Sequence, residues 1–220
     1  MDSSNNVSAR SASYVLGQPD FKTNTGGTST STLNQPGGLA YDSANSRLFV
    51  SDTGNHRVLV FNVAPGVIAN GENASYVIGS PNFVTAGTAG ASTSTISAPY
   101  GLAYDSAGNR LFVSENGNSR VTVFDVATGT IANGENASYV IGSPNFVTGT
   151  GATSQSRLNN PIGLAYDSVN SRLFVADQSN VRILSFDVAT GTIASGENAS
   201  YVLGQTNFAS TTQNTTTSTL

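Results

Sequence analysis

The chain has no cysteine, which excludes a disulfide framework, thiolate chemistry and any cysteine-ligated metal site. Its one histidine, His56, rules out a histidine-rich metal site within a single chain. Charged residues make up only 10% of the 220 positions, far below the roughly 25% usual in soluble domains. Serine, threonine, asparagine and glycine stand in their place, so the surface is hydrated through hydroxyls and amides rather than ion pairs. The formal net charge of −4 argues against a nucleic-acid binder, which needs a basic face to neutralise phosphates. No apolar run approaches the roughly 20 residues of a membrane-spanning helix, and Met1–Arg10 lacks the apolar stretch of a signal peptide. Hydrophobic residues still amount to 38%, enough to build a core.

What the chain does have is repetition. Ser-Tyr-Val-(Leu/Ile)-Gly begins at Ser13, Ser75, Ser138 and Ser200, in steps of 62, 63 and 62 residues. Leu-Ala-Tyr-Asp begins at Leu39, Leu102 and Leu164, and Arg-Leu-Phe-Val at Arg47, Arg110 and Arg172. Residues 68–85 and 131–148 are identical over 18 positions. Of eight tyrosines and ten phenylalanines, only Tyr100 lies off the repeat. Large side chains fixed at repeated places read as core and as packing between units.

Each unit reads as four strands. In the first, Gly38–Asp42, Arg47–Ser51, Arg57–Val63 and Ser75–Gly79 are apolar or β-branched segments separated by Ser/Asn/Gly/Asp turns. The third strand is read as alternating, and no segment carries a helical apolar period. A four-stranded sheet cannot bury both faces alone, so the copies are expected to pack sheet on sheet. Radial repetition of such antiparallel units is an all-β propeller with three blades per chain. Within one domain spanning 1–220, blade 1 is expected at 33–80, blade 2 at 96–143 and blade 3 at 158–205. Residues 13–18 are expected to add an extra outer strand, and 206–220 a polar tail.

The segments Leu-Asn-Gln-Pro-Gly-Gly-Leu-Ala-Tyr-Asp (33–42) and Arg-Leu-Phe-Val-Ser-Asp-Thr-Gly-Asn-His-Arg-Val (47–58), with their copies, resemble the NHL repeat. The likeness covers about 33–63, 96–126 and 158–188, and Ser-Tyr-Val-Leu-Gly-Gln-Pro-Asp-Phe (13–21) is similar to the outer strand of bacterial proteins with long NHL-type blades. The resemblance implies a propeller, commonly six-bladed, that binds protein or RNA. One branch, the peptide-amidating lyases, uses a metal held by histidines that this chain lacks, so that activity is not carried over.

The most distinctive motif is acid-x-x-Asn-x-Arg, found as Asp52, Asn55 and Arg57, as Glu115, Asn118 and Arg120, and as Asp177, Asn180 and Arg182. Short Asp and Asn side chains satisfy the backbone of a tight turn. An arginine five residues after the acid can hold its carboxylate with a charge-assisted bond. A motif stamped on every unit reads as structure, whereas a catalytic cluster is expected once. Pro-x-Gly (Pro36–Gly38, Pro99–Gly101, Pro161–Gly163) reads the same way, its glycine permitting close backbone approach near the axis. The acids Asp42, Asp105 and Asp167 read as turn caps. The glycine-rich stretches lack the Gly-Lys-Ser/Thr of a phosphate loop, and the Asn-Ala-Ser sequons at Asn73, Asn136 and Asn198 follow the repeat.

Three blades are too few to close a ring, since propellers need about four or more. A half-ring would leave two apolar faces in water. The simplest closure is a C2 homodimer with six blades, with 13–18 and 200–204 competing for one place at each seam. The functional expectation is a non-enzymatic binding or scaffold module without cofactor, secreted or on a bacterial surface. Its partners would be itself and a protein or glycan on the variable loops 19–35, 81–98 and 144–160. The competing readings are a half-propeller fragment with no evolved ligand whose main property is self-assembly, and, less favoured, a hydrolase or lyase with a channel site around a calcium ion bound by oxygens.

Overall fold

The computed structural model describes residues 11–212. Twelve strands follow in order: β1 Pro36–Asp42, β2 Arg47–Asp52, β3 Arg57–Asn62, β4 Tyr76–Ile78, β5 Pro99–Asp105, β6 Arg110–Glu115, β7 Arg120–Asp125, β8 Tyr139–Ile141, β9 Pro161–Asp167, β10 Arg172–Asp177, β11 Arg182–Asp187 and β12 Tyr201–Leu203. They form three four-stranded antiparallel sheets, each a simple meander in chain order. There is no α-helix among the described residues, only two single 3-10 turns at Thr53–Asn55 and Gln178–Asn180.

The innermost strands β1, β5 and β9 lie side by side. Each begins with a register shift opposite its neighbour, at Pro36/Leu39, at Pro99/Leu102 and near Pro161. Proline lacks the N–H that would continue the ladder there.

The third strands are buried along nearly their whole length, as the pattern of Arg57–Asn62 shows. The alternation read from sequence is therefore not an inside–outside alternation. Each blade is sandwiched, so both faces of its strands need apolar residues. Phe49, Val58, Val60 and Ile78 of blade 1 pack with Leu102, Leu111, Val113 and Phe124 of blade 2. Phe112, Val121, Val123 and Ile141 of blade 2 pack in the same manner with Leu173, Val175, Leu184 and Phe186 of blade 3. Every blade thus shows a leading face to the blade before it and a trailing face to the blade after it.

The two ends of the row differ from a pair of bare faces. The leading face of blade 1, with Val50, Leu59 and Phe61, is covered by Leu16 and Leu33. The trailing face of blade 3 is open. Residues 13–18, expected as a strand, pair with no other strand, because no third strand of a preceding blade stands beside them. Of the expected tail 206–220, residues 213–220 lie outside the described residues.

Candidate functional site

The three acid–amide–arginine clusters sit between the second and third strands of each blade, beneath the loops that join one blade to the next. In blade 1 the Arg57 Nε donates to Asp52 Oδ2 at 2.7 Å, and Asn55 Nδ2 donates to the same oxygen at 2.9 Å. The other carboxylate oxygen, Oδ1, accepts the backbone N–H of Asn34 at 2.6 Å. Asn55 Nδ2 also reaches the Gly27 carbonyl at 2.8 Å. The remaining guanidinium nitrogens donate to the carbonyls of Ser29 (3.0 Å), Thr32 (3.3 Å) and Phe83. Arg57 therefore ties the loop entering the blade to the loop leaving it.

The other two blades repeat this arrangement. Arg120 Nε donates to Glu115 Oε1 at 2.9 Å, and its fork reaches the carbonyls of Ser92, Thr95 and Phe146. The longer glutamate accepts three further bonds, from Asn118 at 2.6 Å, from the Thr122 hydroxyl at 2.9 Å and from the Ser97 N–H at 3.1 Å. Arg182 Nε donates to Asp177 Oδ2 at 2.7 Å, with Asn180 at 2.9 Å, and its fork holds the carbonyls of Ser154, Arg157 and Phe208. Both side chains of all three ion pairs are fully buried. Burial pushes the Glu115 and Asp177 carboxyls up, against the opposing pull of their arginine and asparagine partners. All nine motif residues are thereby engaged in holding loops.

The turn acids do a related job. Asp42 Oδ1 accepts the N–H groups of Ala44 and Asn45 at 3.1 and 3.2 Å, while Oδ2 takes Arg47 Nε and Nη2 at 2.9 and 2.7 Å. Asp105 and Arg110 repeat the pair, and Arg110 also reaches the Val188 carbonyl of the next blade at 2.7 Å. In blade 3 the pattern changes: Asp167 caps its turn, but Arg172 lies 5.1 Å over the ring of Tyr201. Among the described residues no blade covers it.

The same asymmetry runs through the whole trailing face. Phe49 and Phe112 are fully buried under the rings of Tyr104 and Tyr166, each 5.7 Å away, but Phe174 is half-buried with no ring upon it. Ile78 and Ile141 are at 0% exposure, against 50% for Leu203. Gly163, Leu164, Ala165, Phe174, Ala176 and Ile183 line an open depression there of about 200 Å³. At the opposite end, Leu39 and Tyr41 are 60% and 53% exposed, whereas the equivalent Leu102 is 7%. Tyr41 and Phe174 are the two unmatched halves of a stacking contact made twice inside the chain.

Three features escaped the sequence. Glu135 and Glu197 each keep one carboxyl oxygen buried without a partner. Burial raises both to about 7, with Asp125 and Asp187 nearby adding to the effect. His56, counted only as a potential ligand, accepts the Ala98 N–H at Nδ1, 2.9 Å away, and so joins two blades. Among the described residues no three His, Cys, Asp or Glu side chains converge, and no helix is long and apolar enough to cross a membrane.

Comparison with known proteins agrees with this geometry. Residues 33–61, which cover β1, β2 and most of β3, match the NHL repeat. No curated protein matches the chain. Among solved structures, the fold is similar to that of Kuenenia stuttgartiensis hydrazine synthase, with TM-score 0.51 and 14% identity over 86% of this chain and 40% of that one. A nidogen/laminin complex aligns with TM-score 0.47 and 15% identity over 77% of this chain and 47% of that one. The chain spans less than half the length of either.

Proposed function

We propose that this chain, with an NHL repeat at residues 33–61 and blades of a propeller-like fold suited to binding and scaffolding, is a non-enzymatic scaffold whose first partner is a second copy of itself. Two half-rings joined head to tail, blade 3 of each against blade 1 of the other, make a six-bladed ring with C2 symmetry. The observation that carries this reading is the trailing face of blade 3. Its Phe174, Ile183 and Leu203 occupy positions that are fully buried in blades 1 and 2. A surface of that shape and apolarity suits the part of blade 1's leading face that Leu16 and Leu33 leave open, where Leu39 and Tyr41 are exposed. Arg172 would meet the Val63 carbonyl there, as Arg110 meets that of Val188.

The loops around 19–35, 81–98 and 144–160 differ between blades while the clusters beneath them are the same. A fixed base with variable loops suits recognition of a protein or glycan on that face of the ring. The motif acids and arginines are consumed in holding those loops, which supports binding rather than turnover.

The reading is tested with Phe174→Asp, which places a charge on the open face of blade 3. The variant should lose self-association while melting at the wild-type monomer temperature. Unchanged association would refute the head-to-tail seam.

A further inference from the structure

Residues 13–18 and 200–205 are the same six amino acids, Ser-Tyr-Val-Leu-Gly-Gln. The residues C-terminal to each copy also fold alike. Gln18 Nε2 donates to the Thr25 carbonyl at 3.0 Å, and Gln205 Nε2 to the Thr212 carbonyl at 3.0 Å. Asp20 accepts the N–H groups of Lys22 and Thr23, and Asn207 those of Ala209 and Ser210. The segment 13–25 is therefore a second copy of the stretch that forms the outer strand of blade 3 and the loop after it.

Its placement is equally specific. The Val15 N–H donates to Asn70 Oδ1 at 3.0 Å, and the Val15 carbonyl accepts from Gly71 at 3.3 Å. Val77 of β4 makes this same pair of bonds with Asn133 and Gly134 of blade 2. Val140 of β8 makes it with Ser195 and Gly196 of blade 3. The Gly17 carbonyl accepts from Leu33 at 3.3 Å, as that of Gly142 accepts from Leu158 at 3.1 Å. Residues 13–17 thus already stand against blade 1 where the outer strand of a preceding blade belongs. They lack only that blade's third strand.

On the reading that two copies form a ring, we infer that each seam closes by strand exchange. Residues 13–17 of one copy pair with β11 of the other, in place of that copy's own 200–204. The register follows from β12, where Ile183, Leu184 and Ser185 face Leu203, Val202 and Tyr201; the incoming residues are Leu16, Val15 and Tyr14. Because the two strands are identical, the exchange is close to neutral in pairing. What favours the incoming strand is continuity. At both internal junctions the outer strand of one blade runs directly into the first strand of the next, through a loop clamped by the arginines of both blades. Only residues 13–35 can give the seam that same continuous loop, since 26–34 are already fixed on blade 1 by Asp52, Asn55 and Arg57. The second copy's Arg182 then takes the Phe21 carbonyl in place of that of Phe208. The seam becomes a β-strand addition in which each copy supplies the missing strand of the other.

Because the chain has no cysteine, the exchange can be trapped by introducing pairs. Leu16→Cys with Ile183→Cys should oxidise to a species of twice the chain mass on a denaturing, non-reducing gel. Ile183→Cys with Leu203→Cys, the unexchanged pairing, should give little internally linked monomer from the dimer fraction. The opposite result, an internal Ile183–Leu203 link in a dimer that leaves Leu16→Cys unlinked, overturns the exchange and keeps the ring. A monomer mass by light scattering in both variants and in the unaltered chain overturns the exchange and the ring together.

Discussion

An added Cβ on Gly101 would lie 2.2 Å from the carbonyl oxygen of Ile162, one blade on. Gly38 stands in the same relation to the carbonyl of Tyr100, at 2.3 Å. The innermost strands approach so closely near the axis that no side chain fits between them. Gly163, the third of the set, would meet only Ala176, at 3.7 Å. Gly101→Ala is expected to destabilise the chain by on the order of 1–3 kcal/mol, as overpacking does. Gly163→Ala should leave the monomer's melting temperature unchanged and abolish dimer formation, because its methyl would strike the Gly37 carbonyl of a second copy. Calorimetry and sedimentation of the two variants separate these effects.

Removing Arg120 would leave Glu115 buried without its countercharge and three loop carbonyls without a donor. Arg120→Ala is expected to cost about 3–5 kcal/mol in denaturant unfolding, the range for breaking one side of a buried pair. Arg120→Lys keeps the charge but not the planar fork that reaches four acceptors, so it should restore only part of that loss.

Glu135 and Glu197 titrate near 7 in the folded chain, up from an ordinary 4.5. Between those values the folded state holds more protons than the unfolded one, so stability falls as pH rises from about 4.5 to 7. Glu115 and Asp177, also raised, act in the same direction. Asp42 is lowered: burial opposes its ionisation, but the bonds from Asn45 and Arg47 outweigh it. Its contribution is lost only as the pH falls below its ordinary 3.8. The melting temperature should therefore be higher at pH 5 than at pH 8, and Glu135→Gln with Glu197→Gln should flatten that slope.

Val181 has φ 51°, a left-handed conformation that a β-branched residue adopts only under strain. His56 and Ser119 hold the corresponding turns in blades 1 and 2. Val181→Asn, which tolerates this region, is expected to raise unfolding stability by about 1 kcal/mol. A neutral or destabilising result would show that Val181 is kept for its packing.

The blades were legible in the sequence because every level of the repeat agrees: strand period, turn residues and aromatic positions recur at 62 or 63 residues. The spacing of Asp52 and Arg57 also points to a pair. What the sequence could not show is where the rest of the guanidinium goes, since Ser29, Thr32 and Phe83 offer only backbone carbonyls and those carry no residue signature. The fully buried third strands depart from the alternating reading because a sandwiched blade needs apolar residues on both faces. The segment 13–18 reads as a strand by composition, yet pairing requires a neighbour that the single chain does not provide. Glu135 and Glu197 sit in a polar loop, and nothing in that composition signals burial.

The central claim is that three blades find their missing neighbours in a second copy. Light scattering on the unaltered chain across a concentration series tests it most directly. A mass twice the chain's 22.5 kDa, independent of concentration in the micromolar range, is the predicted result. A mass equal to a single chain, with Phe174 and Ile183 left on an open face, would contradict it.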